Sequence, residues 1–224
     1  AGFLIFQLSF KRVSPYQGRE WNSPDFSIIT GFIKASNWLG SPSFARSIIN
    51  NPAKILSFLS NGNEIILQYP YCDFSVTEKF FYCVATDPSV LEIYHFIYRA
   101  GENSQIINSL IKALKLGKRV VVVIELRARF NESENEKYAK LLQSFGAEVH
   151  FGLDKYKVHC KLTLISRKET NKISWCVQYS TGNYNHITAR TYQDISYLTS
   201  NYVLCKDTKQ LIDCITGKSD QWNF

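Results

Sequence analysis

Val120 to Glu125 (VVVVIE) restricts the fold of this chain more than any other stretch. Five of its six residues are branched aliphatics, which favour an extended backbone. A run without polar alternation suits a strand covered on both faces, the central strand of a layered domain. The flanking patterns agree. Ser104 is placed to cap a helix running to about Leu116, with Ile106, Ile107, Leu110, Ile111 and Leu114 on its inner face and Gly117 as its stop. Glu132 to Phe145 repeats the amphipathic pattern, with Gly146 after it. Asn63 to Tyr69 and Val90 to Tyr98 read as strands, with a helix over Ser75 to Ala85 between them. Glu148 to Phe151 is predicted as a short strand and Lys206 to Ile215 as a closing helix. Strands alternating with helices imply an α/β sheet with helices on both faces and right-handed crossovers between parallel neighbours.

Residues 1–50 form an N-terminal segment without an assignable role, and 51–224 the main domain. Within the first part, Phe3 to Phe10 reads as a strand, Lys11 to Asp25 as loop, and Phe26 to Trp38 as a strand or an amphipathic helix. Hydrophobic content of 45% against 20% charged residues excludes a disordered chain. No apolar run approaches the ~18 residues of a membrane span, and Ala1 to Phe10 lacks the basic start of a signal peptide. The net charge of +7 favours an anionic partner. Six cysteines without a CxxC or metal spacing read as free thiols of a reducing cytosol. The lack of any methionine, at the first position included, reads as a fragment of a longer chain.

The chemistry concentrates in KVHCKLTLISR, from Lys157 to Arg167. His159 and Lys161 are two apart and on a strand would point to the same side, leaving Val158, Leu162 and Leu164 to pack and Cys160 to face the opposite side. A further strand, Ile173 to Tyr179, leads into STGNYN from Ser180 to Asn185, a loop of small donors. A nucleophilic histidine with cationic and amide neighbours suits phosphoryl transfer through a phosphohistidine. Arg99 and Arg129 follow predicted strands, where ligands gather in open α/β sheets. Their guanidinium forks match phosphate geometry. Plainer roles compete: a half-buried, satisfied histidine for His159, a solvent-facing lysine for Lys161, and an ion pair of Arg129 with Glu125 or Glu132. Turn formation is the plainer role for Asn183 and Asn185. Asp194 is placed to accept the second ring hydrogen of His159. His95, His150 and His186 belong to no such cluster and are expected to be structural.

These strings, with TARTYQDISYLT from Thr188, IYRAGENSQIINSLIKAL from Ile97 and VVVVIELRARFNESEN from Val120, resemble the first phospholipase D-like catalytic domain of polyphosphate kinases. The family pattern is close to K-x-H-x-K, G-T-G-N-Y-N and T-A-R-x-Y-T-D, and the likeness runs from about Ile55 to Gly217. It implies a phospholipase D-like layered sheet, followed in the family by a second, similar catalytic domain. It also implies reversible transfer of the terminal phosphate of ATP to inorganic polyphosphate, with His159 as the phosphorylated residue. Lys161, Arg99, Arg129, Asn183 and Asn185 would then bind phosphate, and Tyr192 would stack near the nucleotide base. The resemblance puts Mg2+ at Arg99 and Arg129. Arginine has no lone pair for a cation, so the ion is expected to reach them through shared phosphate oxygens. ATP, ADP and polyphosphate are the implied partners, with no nucleic acid. A cytoplasmic homo-oligomer with peripheral membrane association is the implied setting.

Departures are mild: Tyr69 precedes Pro70-Tyr71 where the family often has His, Ser180 replaces a common Gly, and Gln193 a common Thr. Two rivals remain. A phospholipase D-type phosphodiesterase or nuclease would complete HxKxxxxD, but the matching position, seven after His159, is Ser166 and not Asp. A non-catalytic polyanion-binding module would keep the basic pocket alone.

Overall fold

The computed structural model describes residues 53–129, 131–153, 157–169 and 172–219. The predicted central strand forms as β3 (Arg119–Ile124), with β2 (Val90–Ile97) and β4 (Glu148–His150) parallel on either side. The remaining strands are β1 (Ile65–Tyr69), β5 (Leu162–Lys168), β6 (Ile173–Ser180) and β7 (Asp194–Thr199). The seven lie in the order β1-β7-β6-β5-β2-β3-β4. Among the described residues five helices accompany them: α1 (Ala53–Ser60), α2 (Ser75–Thr86), α3 (Gln105–Lys115), α4 (Glu132–Ser144) and α5 (Tyr202–Ile215).

Side-chain alternation sorts the strands between two apolar layers. Ile93, Ile97, Val120, Val122, Ile124, Ile165 and Cys176 face one layer, where α1 to α4 contribute Ile55, Phe80, Phe81, Ile106, Leu110 and Leu142. Tyr94, Phe96, Val121, Val123, Leu164 and Val177 face the other, against Cys205, Ile212 and Ile215 of α5. Helices therefore cover both faces, as expected. Each fully buried aliphatic or aromatic side chain contributes roughly 1.5–3 kcal/mol, so these two layers supply the main drive to fold.

The sheet is mixed, which the alternation of elements did not convey. Only β2, β3 and β4 are parallel; β5 pairs antiparallel with β2 and β6, and β7 with β6 and β1. Parallel neighbours need long crossovers, which α3 and α4 provide, whereas the short link between β5 and β6 permits only a hairpin. Ser104 caps α3 as predicted, its Oγ accepting from Ile107 N at 3.4 Å. The closing helix starts earlier than Lys206, because Asn201 Oδ1 accepts from Val203 N (3.0 Å) and Leu204 N (3.4 Å). The expected strand over Phe3 to Phe10, the loop after it and the element over Phe26 to Trp38 lie outside the described residues. Among the described residues, no helix is long and apolar enough to cross a membrane.

Register fixes where chemistry can gather. Tyr69 at the end of β1 faces Asp194 at the start of β7, Leu162 at the start of β5 faces Tyr179, and His95 faces Thr163. The ends of β1, β2, β3 and β6 and the starts of β5 and β7 thus share one edge of the sheet.

Candidate active site

Two buried polar side chains shape this edge. Asn135 of α4 is 0% exposed, and its Nδ2 donates to the carbonyls of Tyr98 (2.9 Å) and Glu125 (3.0 Å), tying the ends of β2 and β3 together. Glu125 is 3% exposed. Its carboxylate accepts from Val158 N (2.7 Å), Arg127 N (2.9 Å) and Arg127 Nε (3.2 Å). Burial pushes the carboxyl up, yet these hydrogen bonds outweigh it and hold Glu125 below the ordinary range. An ionised, buried carboxylate therefore anchors the approach to His159. Glu125 is engaged by Arg127, whereas the plainer reading of the sequence paired Arg129 with Glu125 or Glu132.

His159 and Lys161 do not lie on the strand. The ladder between β2 and β5 ends at the His95–Thr163 pair and β5 starts at Leu162, although the Lys161 carbonyl still accepts from Ser180 N of β6 at 2.8 Å. The two side chains meet nonetheless. Lys161 Nζ lies 2.9 Å from His159 Nε2, 3.0 Å from Nδ1, and donates to the His159 carbonyl at 2.7 Å. A neutral imidazole accepts through one nitrogen, so only one ring bond forms at a time. Cys160 packs beside the second apolar layer, and burial pushes its thiol up to about 12. The expectation that it faces the core holds.

The His159 ring is open to solvent. Desolvation lowers its pKa, and Lys161, Lys157 and Arg99 lower it further by charge repulsion. Neutral imidazole, the form able to attack, thus prevails around neutral pH. Lys161 is 5% exposed, and burial brings its ammonium down to about 8, against partial compensation from Asp194. Arg99 Nη2 donates to the Arg129 carbonyl at 2.8 Å, joining the loops after β2 and β3. Arg99 Nε is buried and has no partner among the described residues. A buried donor left without a partner is uncommon and calls for a reason. Tyr98, Arg99, Ala100, Ser104, Lys161 and Tyr184 line one shallow hollow here.

The Ser180–Asn185 loop closes the other side. Asn185 is buried, and its Oδ1 accepts from Ile187 N (2.8 Å) and Thr188 N (3.3 Å), initiating the short 3-10 turn Thr188–Arg190. The carbonyl thus does turn work. The amide nitrogen abuts Gly101, where a Cβ would fall 2.8 Å from it and φ is +78°. That position requires glycine on both counts, and it seats the loop against the segment carrying Arg99. Asn183 Oδ1 is buried without a partner among the described residues.

Asp194 does not orient His159. Its Oδ1 accepts from Thr181 Oγ1 (2.8 Å), which in turn accepts from Ile195 N (3.0 Å). The carboxylate is spent on fixing the loop to β7. Gly182 lies directly beneath it: a Cβ there would overlap the carboxylate and sit 2.8 Å from Asp194 Cβ. Gly182→Ala is expected to lower stability by about 1–3 kcal/mol, a fall of roughly 2–4 °C per kcal/mol in a domain of this size. A thermal melt unchanged from wild type would show that the loop has slack.

Tyr192 is 55% exposed after the 3-10 turn, and no hydrogen bond or ring contact joins it to the His159 group among the described residues. His95 is 2% exposed, bonded through Nδ1 to Thr163 Oγ1 at 2.8 Å, and burial lowers it to about 3. His150 pairs with Glu148 at 2.8 Å. Both are structural, as expected. The place of the Asp of HxKxxxxD, seven after His159, is taken by Ser166, which is 3% exposed and donates through its Oγ to Glu92 Oε2 at 3.2 Å, so no carboxylate stands there. Sequence reasoning missed Tyr98 and Asn135, whose partners His159, Tyr98 and Glu125 lie 61, 37 and 10 residues away, and it missed the bond from Val158 N to Glu125, 33 residues away. Only the placement of Tyr98 beside Arg99 hinted at a role. Among the described residues, no group of three histidine, cysteine, aspartate or glutamate side chains is arranged to hold a metal. The arginines cannot ligate one, so the donor set fits magnesium only as a companion of bound phosphate.

A family model described as polyphosphate kinase C-terminal domain 1 matches residues 54–221. Polyphosphate kinase of Prosthecochloris aestuarii is 41% identical over 154 residues, covering 69% of this chain and 22% of that protein. The enzyme of Xylella fastidiosa is 39% identical over 176 residues, covering 79% and 25%. This chain spans about a quarter of the length of the curated relatives it matches. The crystal structure of polyphosphate kinase from Porphyromonas gingivalis superposes with a TM-score of 0.69 at 28% identity, over 80% of this chain and 30% of that one. Nuc from Salmonella typhimurium, a phospholipase D family member, has a TM-score of 0.52 at 13% identity, over 69% and 92%, a likeness of fold alone. Matched through most of its length in sequence and in fold, the chain belongs to the polyphosphate kinase family, of which it carries C-terminal domain 1.

Proposed function

We propose that this domain transfers the terminal phosphoryl group of ATP to inorganic polyphosphate, reversibly, through a phosphohistidine at His159. One observation carries the reading: an imidazole kept neutral lies within 3 Å of a buried ammonium, beside a guanidinium with an unpartnered buried donor. In the first half-reaction a ring nitrogen of His159 donates its lone pair to the γ-phosphorus. The bond from phosphorus to the β,γ-bridging oxygen breaks, and ADP departs with the electron pair. In the second, a terminal oxygen of polyphosphate attacks the same phosphorus, the P–N bond breaks, and the chain is longer by one phosphate. Lys161, Arg99 and Arg129 stabilise the charge spread over the transferring group, which is the main demand of this chemistry. Asn183 and the amide end of Asn185 add donors, and exposed Tyr192 offers a face to the base. Magnesium enters with the nucleotide phosphates. Six free cysteines suit a cytoplasmic setting. Self-association and peripheral membrane attachment rest on the family likeness alone.

Labelling with γ-labelled ATP tests the proposal: the product should be an acid-labile, base-stable phosphoprotein. Its rate should form a plateau in pH. The imidazole attacks only when deprotonated, so with its pKa lowered the acid limb falls below the ordinary value of 6.5. The ammonium acts only when protonated, so the alkaline limb falls near 8. A rate still climbing steeply between pH 6.5 and 7.5 would contradict this assignment, and cleavage of a phosphodiester without ATP would favour the phosphodiesterase class.

A further inference from the structure

Three cations crowd one aromatic ring at this site. Lys161 Nζ, Lys157 Nζ and Arg99 Cζ lie 4.8, 5.3 and 5.4 Å from the centroid of Tyr98. The His159 ring meets the same tyrosine in a T-shaped contact, with centroids 4.5 Å apart and planes at 77°. None of the three cations has an ion pair with a carboxylate among the described residues. Tyr98 itself is 8% exposed, and its backbone is pinned where Asn135 Nδ2 donates to its carbonyl. Such a ring does not wander.

Like charges gathered within a few ångströms repel one another, and proteins ordinarily hold them together with a carboxylate. A carboxylate here would compete with phosphate for the same donors. An aromatic quadrupole attracts cations to its face without cancelling their charge, and its contact with the imidazole restricts how that ring turns. We infer that Tyr98 is a positioning residue for phosphoryl transfer. It gathers Lys157, Lys161 and Arg99 and sets the orientation of His159, leaving the full positive charge for the incoming phosphate. The inference deepens the phosphotransfer reading and rests on it for the identity of the anion.

The test compares Tyr98→Phe with Tyr98→Leu in the full chain by two readouts. The first is the ring-proton chemical shift of His159, followed through a pH titration by NMR. The second is the rate of phosphoprotein formation from γ-labelled ATP. Tyr98→Phe keeps the ring and should match wild type in shift and titration midpoint, with a rate within about threefold, since the cation attraction belongs to the ring. Tyr98→Leu should lose the ring-current displacement of His159 and fall about 10–100-fold in rate, the scale of a misplaced reacting group. Buried His95 reports on the fold, and its resonances should not move in either variant. If Tyr98→Leu disturbs them, Tyr98→Met takes its place. A ringless variant with native His95 signals and an unchanged His159 shift and rate would overturn the inference, as would a Phe variant as impaired as the Leu one. The shift needs no ATP. If wild type took no label, the phosphotransfer reading would fail while the shift still decided the placement of His159 by Tyr98.

Discussion

Replacing His159 with alanine is expected to reduce phosphoprotein formation from γ-labelled ATP to background, a loss of at least ~10³-fold, the scale seen when a nucleophile is deleted. The size of the effect follows from the geometry. His159 is exposed, Lys161 Nζ sits 2.9 Å from its Nε2, and desolvation, with the charges of Lys161, Lys157 and Arg99, keeps it neutral. His95, near the same edge, cannot substitute, because it is 2% exposed and its ring is engaged by Thr163 and packed against Phe81 and Tyr184. His150→Gln is the control, since among the described residues that ring pairs with Glu148, and it should leave labelling intact. Undiminished labelling in His159→Ala, with the label mapped to another residue, would remove the mechanism.

Lys161→Met should make the protein more stable and much less active. The ammonium is 5% exposed without a carboxylate partner among the described residues, and its pKa drops from 10.5 to about 8. A shift of that size corresponds to roughly 3 kcal/mol at 1.36 kcal/mol per unit. The hydrogen bond to His159 and the face of Tyr98 are lost with it, so the net gain should be about 1–2 kcal/mol, or roughly 2–8 °C in melting temperature. The sign can be checked through pH. A lysine whose folded pKa lies below its unfolded value releases its proton sooner when folded. Wild-type stability should therefore rise between about pH 8 and 10.5, and the Met variant should lack that rise. Transfer should fall about 10²–10³-fold, the scale of losing one preorganised donor to a developing charge. Melting temperature and labelling rate moving in opposite directions would mark Lys161 as a cation maintained for chemistry. A variant that melts lower than wild type would show that Lys161 stabilises the fold.

Much of this protein was legible in one dimension. The unbroken aliphatic run of β3, the 3.6-residue periods of α2, α3 and α4, and the Ser104 cap depend on neighbours within a few positions, and all formed as read. The clustering of His159 with Lys161 was legible too, because the two are only two positions apart, although they meet outside the strand on which the sequence placed them. Only the tertiary structure decided that the second half of the sheet runs antiparallel, since pairing depends on how the β5–β6 hairpin closes against β2. It alone decided that β5 begins only at Leu162, because that turns on where its pairing with β2 stops. It assigned Asp194 to Thr181 and Glu125 to Val158 and Arg127. A carboxylate's charge is written in the sequence, whereas its partner is whichever donor the packed chain brings within about 3 Å, here from as far as 33 residues away.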